Sequence, residues 1–226
     1  MRWAVLAAAA TFAACASGPR PMPAGLSPDE RLAFSESALQ AARGASAAFE
    51  VEATGSLTAK LVGTLELVDA NALALTAEGT FAADAVRVEL DSRSGDVNRS
   101  LTKGASVSGQ HEPPASALTE AVVLGLTRMG VLHNLARLVA DEGIDRARGG
   151  ASDWVRALDV KDGGPDTVGG EACHRVVFSI QVAGERAGEA SVCLSDATAL
   201  PLHRRQTVHF DSGDMSVVET YHWTVK

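Results

Sequence analysis

The chain has 226 residues, with 20 Lys plus Arg against 28 Asp plus Glu and a formal net charge of -8. That balance excludes a nucleic-acid surface, which needs clustered cations, since the one dense basic group is His203-Arg204-Arg205. Hydrophobic residues make up 46% but aromatic ones only 4%, so the core is aliphatic and suits one domain, and no apolar run reaches the roughly 18 to 20 residues that cross a bilayer.

Met1-Arg2 and the apolar stretch Trp3 to Phe12 have the charge and length of an export signal, expected to cover residues 1–14. Phe12-Ala13-Ala14-Cys15 resembles the bacterial lipobox, with Phe12 where Leu is commonest. The resemblance implies that Cys15 receives diacylglycerol and becomes the new N-terminus. Ala16 in place of Asp implies outer-membrane retention in a two-membrane host, with the domain facing the periplasm. The alternative is an ordinary secretory signal cut at Ala14-Cys15-Ala16, which releases a soluble periplasmic or secreted protein.

Pro19, Pro21, Pro23, Gly18 and Gly25 make residues 15–27 a flexible tether, and residues 28–226 form the domain. Ser27-Pro28-Asp29-Glu30 is a capping box with Pro at the first helical position, so a helix is predicted from Pro28 to Arg43. Its apolar side carries Leu32, Leu39 and Ala42, with Phe34 and Ala38 beside them.

From Phe49 the period becomes two. Phe49, Val51 and Ala53, then Leu57, Leu61, Leu65 and Leu67, then Leu73, Leu75, Ala77 and Phe81, then Val86, Val88 and Leu90 define consecutive antiparallel strands with one apolar face. Helical spacing returns between Ala115 and Glu142, through Leu118, Val122, Leu126 and Met129, then Leu132, Leu135, Leu138 and Val139 beyond Gly130. This predicts two helices or a bent one, followed by a loop over Gly143 to Ser152. Strands resume near Trp154. Val168, Ala172, Val176, Phe178, Ile180 and Val182 are assigned to one, and Ala190, Val192 and Leu194 to the next. Leu202, Val208 and Phe210 form a third, and Met215, Val217, Tyr221, Trp223 and Val225 a fourth.

Cys173 and Cys193 flank a turn-like segment and fall on strand-like stretches, so a disulfide between neighbouring strands is predicted once Cys15 is used as an anchor. Redox and metal roles are the lesser reading, because no Cys-x-x-Cys is present. Nucleophile-elbow, phosphate-loop, dinucleotide and zinc-helix motifs are absent too. His111-Glu112-Pro113-Pro114 is read as a loop, since two prolines forbid a metal-binding helical turn. The strand histidines His174, His203, His209 and His222 could in principle assemble a metal site, but no metal and no cofactor is assigned. Glu219 lies on the apolar parity of the last strand. It must pair with a cation such as Arg204, have a raised pKa, or meet a ligand's polar headgroup.

The order of elements resembles the LolA/LolB-like superfamily of bacterial envelope proteins. Its local echoes are Gly169-Gly170-Glu171-Ala172-Cys173-His174-Arg175-Val176-Val177-Phe178 and Val192-Cys193-Leu194-Ser195-Asp196 followed by Leu200-Pro201-Leu202. The resemblance covers residues 28–226. It implies an α+β, mainly antiparallel β fold: a strongly curved sheet forming an unclosed half-barrel, with an N-terminal helix and a helical insert on the concave face. It further implies a cavity for a lipid, acyl chain or other hydrophobic molecule, for which Leu65, Leu75, Leu124, Leu126, Met129, Leu132, Leu135, Tyr221 and Trp223 are the candidate wall and Glu219 and Arg204 the polar contact. The expected function is non-catalytic lipid binding by a membrane-anchored envelope lipoprotein. The alternative is a scaffold or regulatory module of the same fold, with a filled core and an envelope protein as partner.

Overall fold

A computed structural model of the chain describes residues 19–69, 72–94, 96–112, 122–139 and 155–225. The export signal, Cys15 and the loop over 143–152 lie outside the described residues, as do Leu118 and Trp154.

The helix α1 (Pro28–Ala41) begins as the capping box requires: the Glu30 amide donates to Ser27 Oγ at 3.4 Å, and the Ser27 amide donates to Glu30 Oε2 at 2.8 Å. It ends two residues earlier than predicted. Gly44 follows at φ 72, and its amide donates to the carbonyl of Leu67, which turns the chain into the sheet.

The sheet is two meanders joined along one seam. The first runs β1 (Ala45–Gly55), β2 (Ala59–Leu67), β3 (Leu73–Phe81), β4 (Asp84–Asp91), β5 (Val97–Lys103) and β6 (Ser106–Glu112). The second runs β7 (Val155–Val168), β8 (Glu171–Val182), β9 (Glu185–Ser195), β10 (Pro201–Phe210) and β11 (Gly213–Thr224). The spatial order is β6-β5-β4-β3-β2-β1-β11-β10-β9-β8-β7, every described pair is antiparallel, and the seam pairs Ser46 with Thr224 through Gly55 with Met215. The sheet is strongly curved and does not close. Strand irregularities accompany the curvature: register shifts interrupt β7–β8, β8–β9 and β9–β10. At Gly79 the chain takes φ 144 while the Lys60 carbonyl occupies the place of a Cβ, so only glycine lets β2 and β3 approach there.

Alternation decides the faces. Ala45, Ala47, Phe49, Val51 and Ala53 of β1 are buried while Glu50 and Glu52 are exposed, and β2 to β4 repeat the pattern. Topology then decides where the helices go. β6 and β7 are consecutive in the chain but occupy opposite edges of the sheet, so the connection must traverse it. Its helical parts, α2 (122–129, closing as a π-helical turn over Gly125–Met129) and α3 (Val131–Val139), pack on the apolar face against β4, β5, β7 and β9. The insert is therefore two helices parted at Gly130, which has φ 84 and ψ 161.

Three sequence assignments are corrected. His111 and Glu112 are not in a loop but end strand β6. Val168 closes β7 rather than opening β8, because Gly169 and Gly170, at φ 58 and 89, form the turn between them. Phe210 shares parity with Leu202 but is 50% exposed, since it sits at the strand end beyond the reach of the core.

Candidate functional site

The apolar face of the sheet and the helices across it form two neighbouring aliphatic clusters, the larger of them on the first meander, the insert and β11. Leu65, Leu75, Leu126, Leu132, Leu135 and Tyr221 all belong to the larger cluster, and Trp223 borders it half-buried. Met129 falls in a neighbouring cluster with Leu32, Phe178, Ile180, Val192 and Leu194, while Leu124 is buried outside both. The sequence thus anticipated residues that largely converge. Small side chains such as Ala47, Ala53, Ala59 and Ala77 line the first meander.

Two charges sit in the middle of this apolar surface. Arg204 on β10 and Glu219 on β11 are direct cross-strand partners, and both are essentially fully buried. Each grips one side of the helix break. The Glu219 carboxylate accepts from the backbone N–H groups of Val131 at 3.1 Å and Leu132 at 2.9 Å, the free donors of the α3 N-terminus, and from the Tyr221 hydroxyl. Arg204 donates to the carbonyls of Thr127 and Arg128, at the C-terminal end of the π-helical turn, and to Gln206 Oε1 at 2.6 Å. Its guanidinium also lies 6.0 Å from the Phe178 ring centroid. An acid thus meets the positive end of one helix and a base the negative end of the other. Gly130 is what admits the acid, because a Cβ at that position would fall on the Glu219 carboxylate.

Burial dominates the proton affinities of this group. It raises the Glu219 pKa despite the opposing influence of Arg204, Tyr221 and the two amides. It lowers that of Arg204, against the attraction of Glu219 and Tyr221, and with the Glu219 charge it holds Tyr221 well above the usual phenol value. Of the sequence alternatives for Glu219, the raised pKa holds, while Arg204 stands opposite it in register without a direct ion pair, each charge being held by backbone groups at the helix break instead.

A second polar group ties α1 to the insert. Glu36 accepts from Arg128 Nε at 2.6 Å and Nη2 at 2.8 Å and from Thr127 Oγ1 at 3.2 Å, while Arg128 Nη1 donates to the Val155 carbonyl of β7 at 2.9 Å. Sequence reasoning missed this pair, because Glu36 lies 92 positions from Arg128 and neither breaks its local pattern. Beside it, Asp29, Leu32, Ala33, Arg156, Ala157 and Val160 complete a cleft of about 160 Å³ between α1 and β7.

The remaining sequence candidates lie elsewhere. Cys173 and Cys193 form the predicted disulfide between β8 and β9, with Cα atoms 5.6 Å apart, on the parity opposite to Val176, Phe178 and Val192. Ser195 Oγ donates to Glu171 and accepts from the amides of Ala197 and Thr198, which closes the β9–β10 turn. His209 is held by Asp214 at 2.8 Å and Glu189 at 2.9 Å, and His174 by Asp162 at 2.6 Å. Among the described residues no three His, Cys, Asp or Glu side chains are grouped to hold a metal ion.

Neither a family model nor a curated protein matches the chain. Solved structures do. The Mycobacterium tuberculosis lipoprotein LppX aligns over 88% of this chain and 96% of its own, at 15% identity and a TM-score of 0.46. A DUF1329 family protein from Desulfovibrio piger aligns over 92% and 94%, at 10% identity and 0.35. A LolA superfamily protein from Nitrosomonas europaea, of the superfamily that the sequence resembles, aligns over 89% and 94%, at 7% identity and 0.34.

Proposed function

We propose that the protein is a non-catalytic bacterial envelope lipoprotein, anchored through Cys15 in the outer membrane and facing the periplasm, that holds a lipid or other hydrophobic ligand between its curved sheet and its helices. The observation that carries this reading is the construction of the apolar face. An open sheet of eleven described strands turns an aliphatic face, divided between two neighbouring clusters, toward a cover made of helices, and polar bonds fix that cover at the Gly130 break. Apolar ligands lodge where such layers leave a concave, apolar-lined space between them. Leu65, Leu75, Leu124, Leu126, Met129, Leu132, Leu135, Tyr221 and Trp223 would wall the ligand. Glu219 and Arg204 would act on it through the helices that they hold.

A second reading has its own observation. Val123, Leu126, Val131 and Leu135 have no measurable exposure, and they pack in the same core as the sheet, as they would in an interaction module with a filled interior. Native mass spectrometry with lipid extraction, on residues 16–226 purified from a bacterial host, separates the two. Near-stoichiometric copurified lipid is the expected result. A folded protein that is empty and also ignores fluorescent fatty acids would sink the ligand reading and leave the interaction module.

A further inference from the structure

The tether predicted over residues 15–27 is pinned long before the domain begins. Met22 is half-buried and packs against both aliphatic clusters, and its amide donates to the Asp196 carbonyl in the β9–β10 turn at 2.9 Å. The free length between Cys15 and the fold is therefore the seven steps from Cys15 to Met22. Fully extended, seven residues span about 25 Å at most.

The pinning point lies at one pole of the molecule. The β9–β10 turn shares its end of the sheet with the Gly169-Gly170 turn and the end of β11. The β10–β11 turn, containing Ser212, lies at the other end. β10 runs from Pro201 to Phe210 between these poles, about 30 Å at 3.3 Å per residue. For the Ser212 pole to rest on the membrane with the molecule inverted, Met22 would have to stand about 30 Å above the bilayer, farther than the chain from Cys15 reaches. A side-on pose would lay the outer sheet face against the leaflet, but Glu78 and Glu189 there are already paired with Arg87 and Arg186 and Glu52 stands opposite Lys60, so that face gains little from the charge of the lipid.

Resting on the lipid-anchor reading above, we propose that the domain stands on the bilayer that carries its anchor, with the β9–β10 turn as its membrane-facing pole and the β10–β11 turn pointing away. The occupant of that pole is a lipid surface. A domain held this way exchanges ligand with its own membrane and presents Ser212 and the exposed Phe210 to whatever lies beyond.

The test uses the full, acylated chain in phosphatidylcholine–phosphatidylglycerol vesicles with an energy-transfer acceptor on the lipid headgroups. Ala197→Cys and Ser212→Cys variants, labelled with the Cys173–Cys193 bond intact, carry the donor at the two poles. Transfer from position 197 is expected to exceed that from 212 several-fold. Inserting forty Gly and Ser residues after Ser17 should bring the two signals together, because reach no longer dictates the pose. Equal transfer in the unlengthened protein, reversed transfer, or a difference that survives lengthening overturns the proposal. A chain whose N-terminal peptide lacks acyl groups and which fails to float with vesicles removes the anchor reading itself. An anchored chain with equal signals removes only the orientation.

Discussion

Glu219 is the residue in which sequence and structure meet most directly. Its place on an apolar parity marks it as abnormal, and the fold answers with an arginine opposite and a helix start above. Its raised pKa has a definite sign: the folded state holds the proton more tightly than the unfolded chain. The group's contribution is therefore complete below the unfolded value, about 4.3, and is lost as pH rises through the folded one. In Glu219→Gln an amide NH₂ faces a backbone N–H, which should cost about 2 kcal/mol. The variant no longer titrates, so its stability deficit is expected to narrow between pH 5 and pH 8 in urea unfolding. A deficit that widens with pH would mean that attraction to Arg204, rather than burial, governs this carboxylate. Two histidines extend the contrast. His209, between Asp214 and Glu189, titrates above an ordinary histidine, and its contribution fades as pH rises through that value. Half-buried His203, beside Arg205 and Arg175, titrates below, so its contribution is lost as pH falls. Imidazole NMR titration should place the two midpoints on opposite sides of about 6.5. Asp214→Asn should lower only that of His209.

At the scale of elements, legibility followed the regularity of the alternation. β1 to β4 and β8 to β11 announce themselves because one face is buried and the other wet. β6 does not, since Ser106, Val107, Ser108 and Gly109 are all exposed at the sheet edge and no apolar parity is imposed on them. β7 is marked only at its start, near Trp154, and its course hides for a different reason. Its two register shifts and Gly163-Gly164-Pro165 break the period, as suits an edge strand that must not recruit another chain. The disulfide was readable because its cysteines flank a hairpin, whereas the Glu36–Arg128 pair depends on a tertiary contact that no local signal carries. The disulfide joins β8 to β9 across 20 residues of chain, and a loop of that size is worth about 3 kcal/mol in the chain-entropy account. Cys173→Ser with Cys193→Ser should lower the melting temperature by about 6 to 12 °C. An unchanged melting temperature, with reduced wild type equally stable, would mean that the hairpin and its cover of Leu202 and Trp223 already hold those strands.

For the whole molecule, the decisive fact is that consecutive strands β6 and β7 close opposite edges of one sheet. The connection between them cannot be a short loop, and its route across the apolar face makes the cover a consequence of the topology. The two meanders otherwise touch through the β1–β11 seam. α3 packs on β4 and β5 of the first meander, while α2 packs on β7 and β9 of the second, so the insert bridges both halves through the clamp at Gly130. Replacing residues 113–154 with an equally long Gly and Ser linker isolates this role, since reach between the edges is preserved while every apolar contact of the cover is lost. Leu65, Leu75, Leu101 and Tyr221 would then face water, along with Glu219 and Arg204 stripped of their backbone partners in the insert. The expected protein binds a hydrophobic dye strongly and elutes as aggregate in size-exclusion chromatography. If it instead remained monomeric, with the wild-type cooperative melt, the sheet would be self-sufficient. The helices would then serve only what lies beneath them, which would strengthen the ligand reading over the filled core.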